Sequence, residues 1–277
     1  RESTNRMLLL RRLLFANPGI LAYVSRLRKL LRETKPDVIH SNGLKMHLLG
    51  AMAKPRGVPL IWHVHDYVQS RPVMAGLIKL FRKRCSLALA NSNSVAQDLA
   101  ALCGNSLRVQ TIYNGVDTDV FSPTGEQLDL DSLSKLPATN GDTIRVGMLG
   151  TLARWKGHEV FLRALSLVAN KFQVRGYIIG DAVYQTDGSQ TSLGDLKSLA
   201  QSLGISDRVG FTGFVTEPAA AIRALDIVVH ASTSPEPFGL VIAEAMACGR
   251  PVIFSEAGGA AEVVKSNGRK NCASEEI

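Results

Sequence analysis

Two glutamates, Glu236 and Glu244, stand with seven residues between them in "SPEPFGLVIAEAM", around a mostly apolar run. A run that served packing alone would need neither carboxylate nor the Pro-Glu-Pro-Phe-Gly turn that opens it. A helix starting near Phe238 would leave the amides of Phe238, Gly239, Leu240 and Val241 free at its first turn, and Gly239 would let backbone approach a ligand closely. Glu244 would then lie about two turns from Glu236. Paired carboxylates of this kind can grip sugar or ribose hydroxyls through charge-assisted hydrogen bonds. Upstream, "GMLGTLARWKGHEVF" places Gly150 and Thr151 in a loop and supplies Arg154 and Lys156 just before a helix near Gly157. Two cations beside a helix N-terminus suit an anion. The loop lacks the Gly-Lys-Ser/Thr ending of a Walker loop and is not a Gly-x-Gly-x-x-Gly fingerprint. The alternative is a solvated surface loop, with Glu236 as a helix cap and Glu244 merely exposed.

Positioning such groups takes strands that end in loops on one side of a sheet. The chain provides them in alternation: a helix over 18–33 with Ile20, Val24, Leu27 and Leu31 on one face and Asn17 as its cap, a strand at "PDVIHSN", a helix near 43–54, and a strand over 59–65. A helix near 72–85, the strand "SLALAN", a helix opening at Ser92 or Asn93, and the strand "RVQTIYN" complete the first half. After the polar, Pro- and Gly-broken stretch 123–142, which reads as a linker, alternation restarts. Strands are expected over 143–150, 174–180, "RVGFTGF", 226–231 and "PVIFS", and helices over 158–170, 191–203, 217–224 and 239–247. Strand–helix alternation implies right-handed βαβ units and open parallel sheets. The reading is α/β, with domains at 1–122 and 143–277, and with pieces expected to be missing at both ends.

The chain has 277 residues and a net charge of +8. Residues 1–140 hold 19 Lys/Arg against 10 Asp/Glu, and residues 141–277 hold 13 against 14, so the basicity lies in the first half. It concentrates in residues 1–35 and in Arg71–Arg84, a pattern suited to anionic headgroups or phosphorylated substrates. No basic, aromatic-rich sheet or motif supports nucleic acid binding. Arg11 and Arg12 split "MLLLRRLLF", which is too short and basic for a signal peptide, and no window reaches the ~20 apolar residues of a spanning helix. Cys85, Cys103, Cys248 and Cys272 are widely spaced, which reads as reduced thiols of a cytoplasmic protein.

The motifs, taken in order, resemble the retaining glycosyltransferases of family 4, with their two-domain GT-B fold: "VIHSNG", "WHVHD", "NGVDTDVF", "GTLARWKGHEVFLRAL", "DRVGFTGFV", "PEPFGLVIAEAMACGRPVI" and "AGGAAEVV". The resemblance covers nearly the whole chain. It implies two Rossmann-like domains facing a central cleft, the first on the acceptor side and the second binding a nucleotide-diphosphate sugar. Arg154 and Lys156 would hold the diphosphate, the amides of Phe238 to Val241 would meet phosphate and sugar oxygens, Glu236 would bind the sugar, and Glu244 would bind the ribose. Phe214 and Val215 would meet the base, Gly150 and Thr151 would line the donor loop, and His65 would act on the sugar or acceptor. The family often carries arginine directly after the loop glycine, where this chain has Thr151, so that role passes to Arg154.

The resemblance implies hexosyl transfer to a glycan, lipid-linked or small-molecule acceptor, as in polysaccharide biosynthesis, with no metal or other cofactor, and the basic first half adds the expectation of peripheral attachment to the cytoplasmic face of a membrane. Asp117 with Asp119 and Asp129 with Asp131 imitate a metal-binding Asp-x-Asp, but the first pair follows a turn and the second falls in the expected linker. His63 and His65 share a strand face without a convincing third ligand. The rival readings are a nucleotide-sugar epimerase of the same fold and a binding module without catalysis.

Overall fold

The computed structural model describes residues 18–139, 141–182 and 190–265. Asn17, "MLLLRRLLF" and Cys272 lie outside the described residues. The chain divides into two compact units, Arg1–Tyr113 and Asn114–Ile277.

In the first unit, β1 (Ile39–Asn42), β2 (Leu60–Val64), β3 (Leu87–Ala90) and β4 (Val109–Thr111) form a parallel sheet in chain order. Each strand is followed or preceded by a helix: α1 (Pro18–Thr34), α2 (Leu44–Ala53), α3 (Pro72–Phe81) and α4 (Asn93–Cys103). Leu60, Trp62 and Val64 alternate into the core of β2, where Ala88, Val95 and Leu99 join them. Local chemistry marks the helix starts. Pro72 opens α3, where its missing N–H costs nothing, and Ser92 caps α4 by accepting the Val95 N–H at 3.1 Å. Of the face expected on α1, Val24 is buried, Leu27 and Leu31 are half-buried, and Ile20 is exposed.

The second unit carries β5 (Ile144–Leu149), β6 (Val174–Ile179), β7 (Val209–Gly213), β8 (Ile227–His230) and β9 (Val252–Phe254), all parallel, in the order β7-β6-β5-β8-β9. The chain builds outward from β5 through β6 to β7, then returns to lay β8 on the other side of β5. The order therefore reverses between β5 and β8, and in open α/β sheets ligands bind beyond the carboxyl ends of the strands at such a point.

The polar stretch 123–142 contains α5 (Leu130–Leu133), with Leu130 and Asp131 buried. Asp131 accepts hydrogen bonds from Arg145 Nη2 at 3.0 Å, Arg175 Nη1 at 2.7 Å, Tyr177 Oη at 2.5 Å and Thr139 Oγ1 at 3.0 Å. Burial alone would raise its proton affinity. The bonds from Tyr177, Arg175 and Thr139 outweigh that effect and hold the carboxyl well below the usual carboxylate range. This network fastens the stretch to β5 and β6.

Candidate active site

The loops after β5 and β8 flank the reversal in strand order. The first contains a short turn, Arg154–Lys156, leading into α6 (His158–Ala169). Gly157 joins them in the left-handed region at φ 78, where a side chain is strained. A Cβ there would lie 1.9 Å from the Ala231 carbonyl oxygen, so this glycine lets the two loops touch. The Thr233 N–H donates to the Trp155 carbonyl at 2.8 Å and ties them further.

The contact delivers Lys156 to Glu236. Its Nζ lies 2.5 Å from Glu236 Oε1, with side-chain exposures of 17% and 8%. The same oxygen accepts from Ser232 Oγ at 2.7 Å and faces His230 Nε2 at 3.2 Å. Burial pushes the Glu236 carboxyl up, but the His230 hydrogen bond, the Lys156 cation and the Ser232 hydroxyl outweigh it and hold the group down at about 2. The Glu236 carbonyl accepts the Gly259 N–H at 2.8 Å, which pins the backbone as well.

Arg154 takes a different place from the one expected. It is exposed, and its Nε donates to the Gln190 carbonyl at 3.3 Å, alongside the backbone pairing of Ala153 with Gln190. Lys156, with its ammonium over the Trp155 ring at 4.4 Å, is the cation brought to the carboxylate.

After α7 (Leu193–Ser202) and α8 (Pro218–Arg223), the helix that follows Glu236, α9 (Leu240–Ala247), begins two residues later than the sequence suggests. Gly239 is its N-cap at φ 82, and Phe238 is buried rather than at the first turn. The Ile242 N–H bonds to the Gly239 carbonyl at 3.0 Å, so Leu240 and Val241 carry the amides that precede the first intrahelical bond. Glu244, on α9, is half-buried, and burial raises its proton affinity. Its carboxyl accepts no hydrogen bond from the described residues. Gly150 directly follows β5, and Thr151 Oγ1 donates to the Asp181 carbonyl at 3.2 Å. Phe214 stands 68% exposed beyond β7, while Val215 packs inward beside Leu130 and Tyr177.

His65 lies in the first unit, just past the carboxyl end of β2, with its ring 4.1 Å from that of His63. Burial lowers its proton affinity, Asp66 raises it and His40 lowers it further; the net shift is downward. Asp117 closes a turn by accepting the Asp119 N–H at 3.0 Å. Among the described residues, no three His, Cys, Asp or Glu side chains are grouped to hold a metal ion.

His230 and Ser232 were not singled out from the sequence. Their signal was a pair of polar residues two apart at the end of a buried strand, which puts both on one side. A cavity of about 680 Å³ runs along the sheet, lined by the apolar Val146, Phe161, Leu165, Val168 and Phe172 and also by His230 and Ser232 themselves.

Residues 131–276 match the family described as Glycosyl transferases group 1, and residues 6–120 match Glycosyltransferase Family 4. D-inositol 3-phosphate glycosyltransferase 2 of Catenulispora acidiphila is 33% identical over 246 residues, 82% of this chain and 56% of that protein. D-inositol 3-phosphate glycosyltransferase of Mycobacterium bovis is 30% identical over 240 residues, 80% of this chain and 48% of that one. The chain thus spans about half the length of these relatives. The crystal structure of Anabaena Alr3699/HepE in complex with UDP-glucose aligns with a TM-score of 0.74 at 29% identity, covering 90% of this chain and 67% of that chain.

Proposed function

We propose that this chain, which belongs to the glycosyl transferases of group 1, is the part of a retaining enzyme that moves a sugar from a nucleotide-diphosphate donor to an acceptor hydroxyl without a metal. The observation that carries the reading is the Lys156–Glu236 contact at the reversal in strand order, beside the first-turn amides of Leu240 and Val241. Breaking the bond between anomeric carbon and phosphate leaves positive charge on the sugar and negative charge on the diphosphate. Lys156 and the two amides oppose the negative charge, the amides from fixed positions and Lys156 from a flexible stem, and Arg154 adds a further cation. Glu236, kept ionised, opposes the positive charge on the sugar.

Glu244 is suited to ribose hydroxyls, because a half-buried carboxylate gains most from donors that a ligand brings. Phe214 offers an exposed ring for the base, with the backbone around Val215 beside it. His65 is the first-unit group we assign to the sugar or acceptor, and the acceptor attacks from the face the diphosphate leaves. UDP-glucose occupies the Anabaena relative, so UDP sugars are the first donors to try.

The test is release of nucleotide diphosphate by the full-length protein from a panel of nucleotide sugars, with and without sugar and lipid-linked acceptors. Acceptor-dependent release is expected. Conversion of a nucleotide sugar into its epimer without acceptor would overturn the reading.

The same proposal takes an anionic membrane surface as partner. Lys79, Lys83 and Arg84 are exposed near Val73 and Leu80, apolar residues that also face solvent. No described helix is long and apolar enough to cross a membrane. Anionic vesicles are expected to retain the protein at low salt and release it at high salt; equal retention on neutral vesicles would rule out the electrostatic contact.

A further inference from the structure

Glu236 is held by more groups than an ion pair needs. Lys156, Ser232 and His230 all converge on Oε1, at 2.5, 2.7 and 3.2 Å. They differ in what else they can do. Lys156 ends a long flexible stem with three donors, and in the functional reading its charge is wanted by the donor diphosphate. Ser232 and His230 are short side chains, buried to 4% and 6% exposure, at the end of a central strand. Their backbone is fixed: the Ser255 N–H donates to the His230 carbonyl at 3.0 Å, and Thr233 is bonded to Trp155.

We propose that Ser232 and His230 are positioning residues that keep the Glu236 carboxylate fixed and charged while Lys156 turns to the diphosphate of a bound donor. The inference rests on the functional reading above and deepens it. When the ammonium leaves, burial favours the neutral acid, and a neutral acid cannot oppose positive charge on a sugar. The hydroxyl and the ring N–H are the donors that stay. Charged or titratable groups facing Glu236 among the described residues include Lys156, from the turn after β5, and His230, from β8; the segment pairing with its backbone presents Gly258 and Gly259. With Nε2 turned to Glu236, the other ring nitrogen, Nδ1, is buried without a hydrogen-bond partner among the described residues. The ring therefore faces Glu236 with the one nitrogen that has a partner.

The experiment compares Ser232→Ala, Ser232→Thr and His230→Gln in the full-length protein. The ionisation of Glu236 is followed without ligand by carbon NMR of labelled glutamate, assigned with Glu236→Gln, and kcat and KM are then measured across pH. Removing a donor raises the affinity of Glu236 for its proton, so the NMR midpoint and the acid limb of kcat move to higher pH in Ser232→Ala and His230→Gln. In Ser232→Ala, kcat falls at least about 10-fold, the scale of a lost bond to a charged group, while KM for the donor changes less than about twofold because Lys156 and the helix amides remain. Ser232→Thr, which keeps the hydroxyl, restores both. An unmoved midpoint in Ser232→Ala, or a threonine variant as impaired as the alanine one, overturns the proposal. Turnover by the unaltered protein with unchanged kcat in Ser232→Ala overturns this inference alone; no turnover with any donor overturns the functional reading and the inference with it.

Discussion

On the proposed function, Lys156→Ala is expected to lower acceptor-dependent transfer by about 10²–10³-fold, the usual effect of deleting one preorganised group that faces developing charge. Lys156 is the described cation placed against Glu236, and its side chain is only 17% exposed, so water replaces it poorly. The loss falls on both donor affinity and kcat, because the charge on the diphosphate grows as the bond breaks. Lys156→Arg keeps the cation but not the compact ammonium at 2.5 Å from Oε1, and recovers part of the rate. The folded state survives the alanine change because Ser232 and His230 still hold the carboxylate. Measurement of kcat/KM beside a thermal melt separates the two effects. A variant that turns over within threefold of the parent would remove Lys156 from the chemistry.

The second large effect is on stability. Asp131→Asn is expected to destabilise the second unit by about 3–5 kcal/mol, the range found when one partner of a buried ion pair is removed. Asp131 is 3% exposed and binds two arginines, a tyrosine and a threonine. Asparagine keeps the shape, but it removes the charge and turns one acceptor into a donor aimed at donors. Urea unfolding of parent and variant at neutral pH reads the difference. The sign with pH follows from the depressed carboxyl: its contribution is fully present above the ordinary aspartate value of 3.8 and is lost as pH falls through the lower folded value. Parent and variant are therefore expected to converge only in strong acid. A gap below 1 kcal/mol at neutral pH would mean that the network adds little.

The alternation of parallel strands and helices was legible because each strand is a short apolar run between turn residues, and burial on both faces of a parallel sheet leaves that trace. The reversal between β5 and β8 left no local trace, since pairing of Val146 with Ile227 joins residues far apart in the chain. The stretch 123–142 read as polar connection for a related reason. Its Asp131 is explained by Arg145, Arg175 and Tyr177, and nothing nearby reveals that they converge.

At the site, residue types pointed to Lys156 and Glu236, and geometry supplied the rest. "ARWK" offers two cations, and the fold separates them: beside the close approach of Gly157 to Ala231, Lys156 meets Glu236 while Arg154 meets Gln190. "PEPFG" suggests a helix start at Phe238; a glycine at positive φ moved it to Leu240 and left Phe238 in the core.

The chain has two tryptophans, and their surroundings make them unequal reporters. Trp62 is buried in the first unit at 0% exposure, so a blue-shifted emission is expected of it. Trp155 is 37% exposed and lies under the Lys156 ammonium. On the proposed function, a bound diphosphate that draws that cation away would change the electric field on the Trp155 indole. The red edge of the intrinsic fluorescence is then expected to give a label-free titration signal for donor engagement.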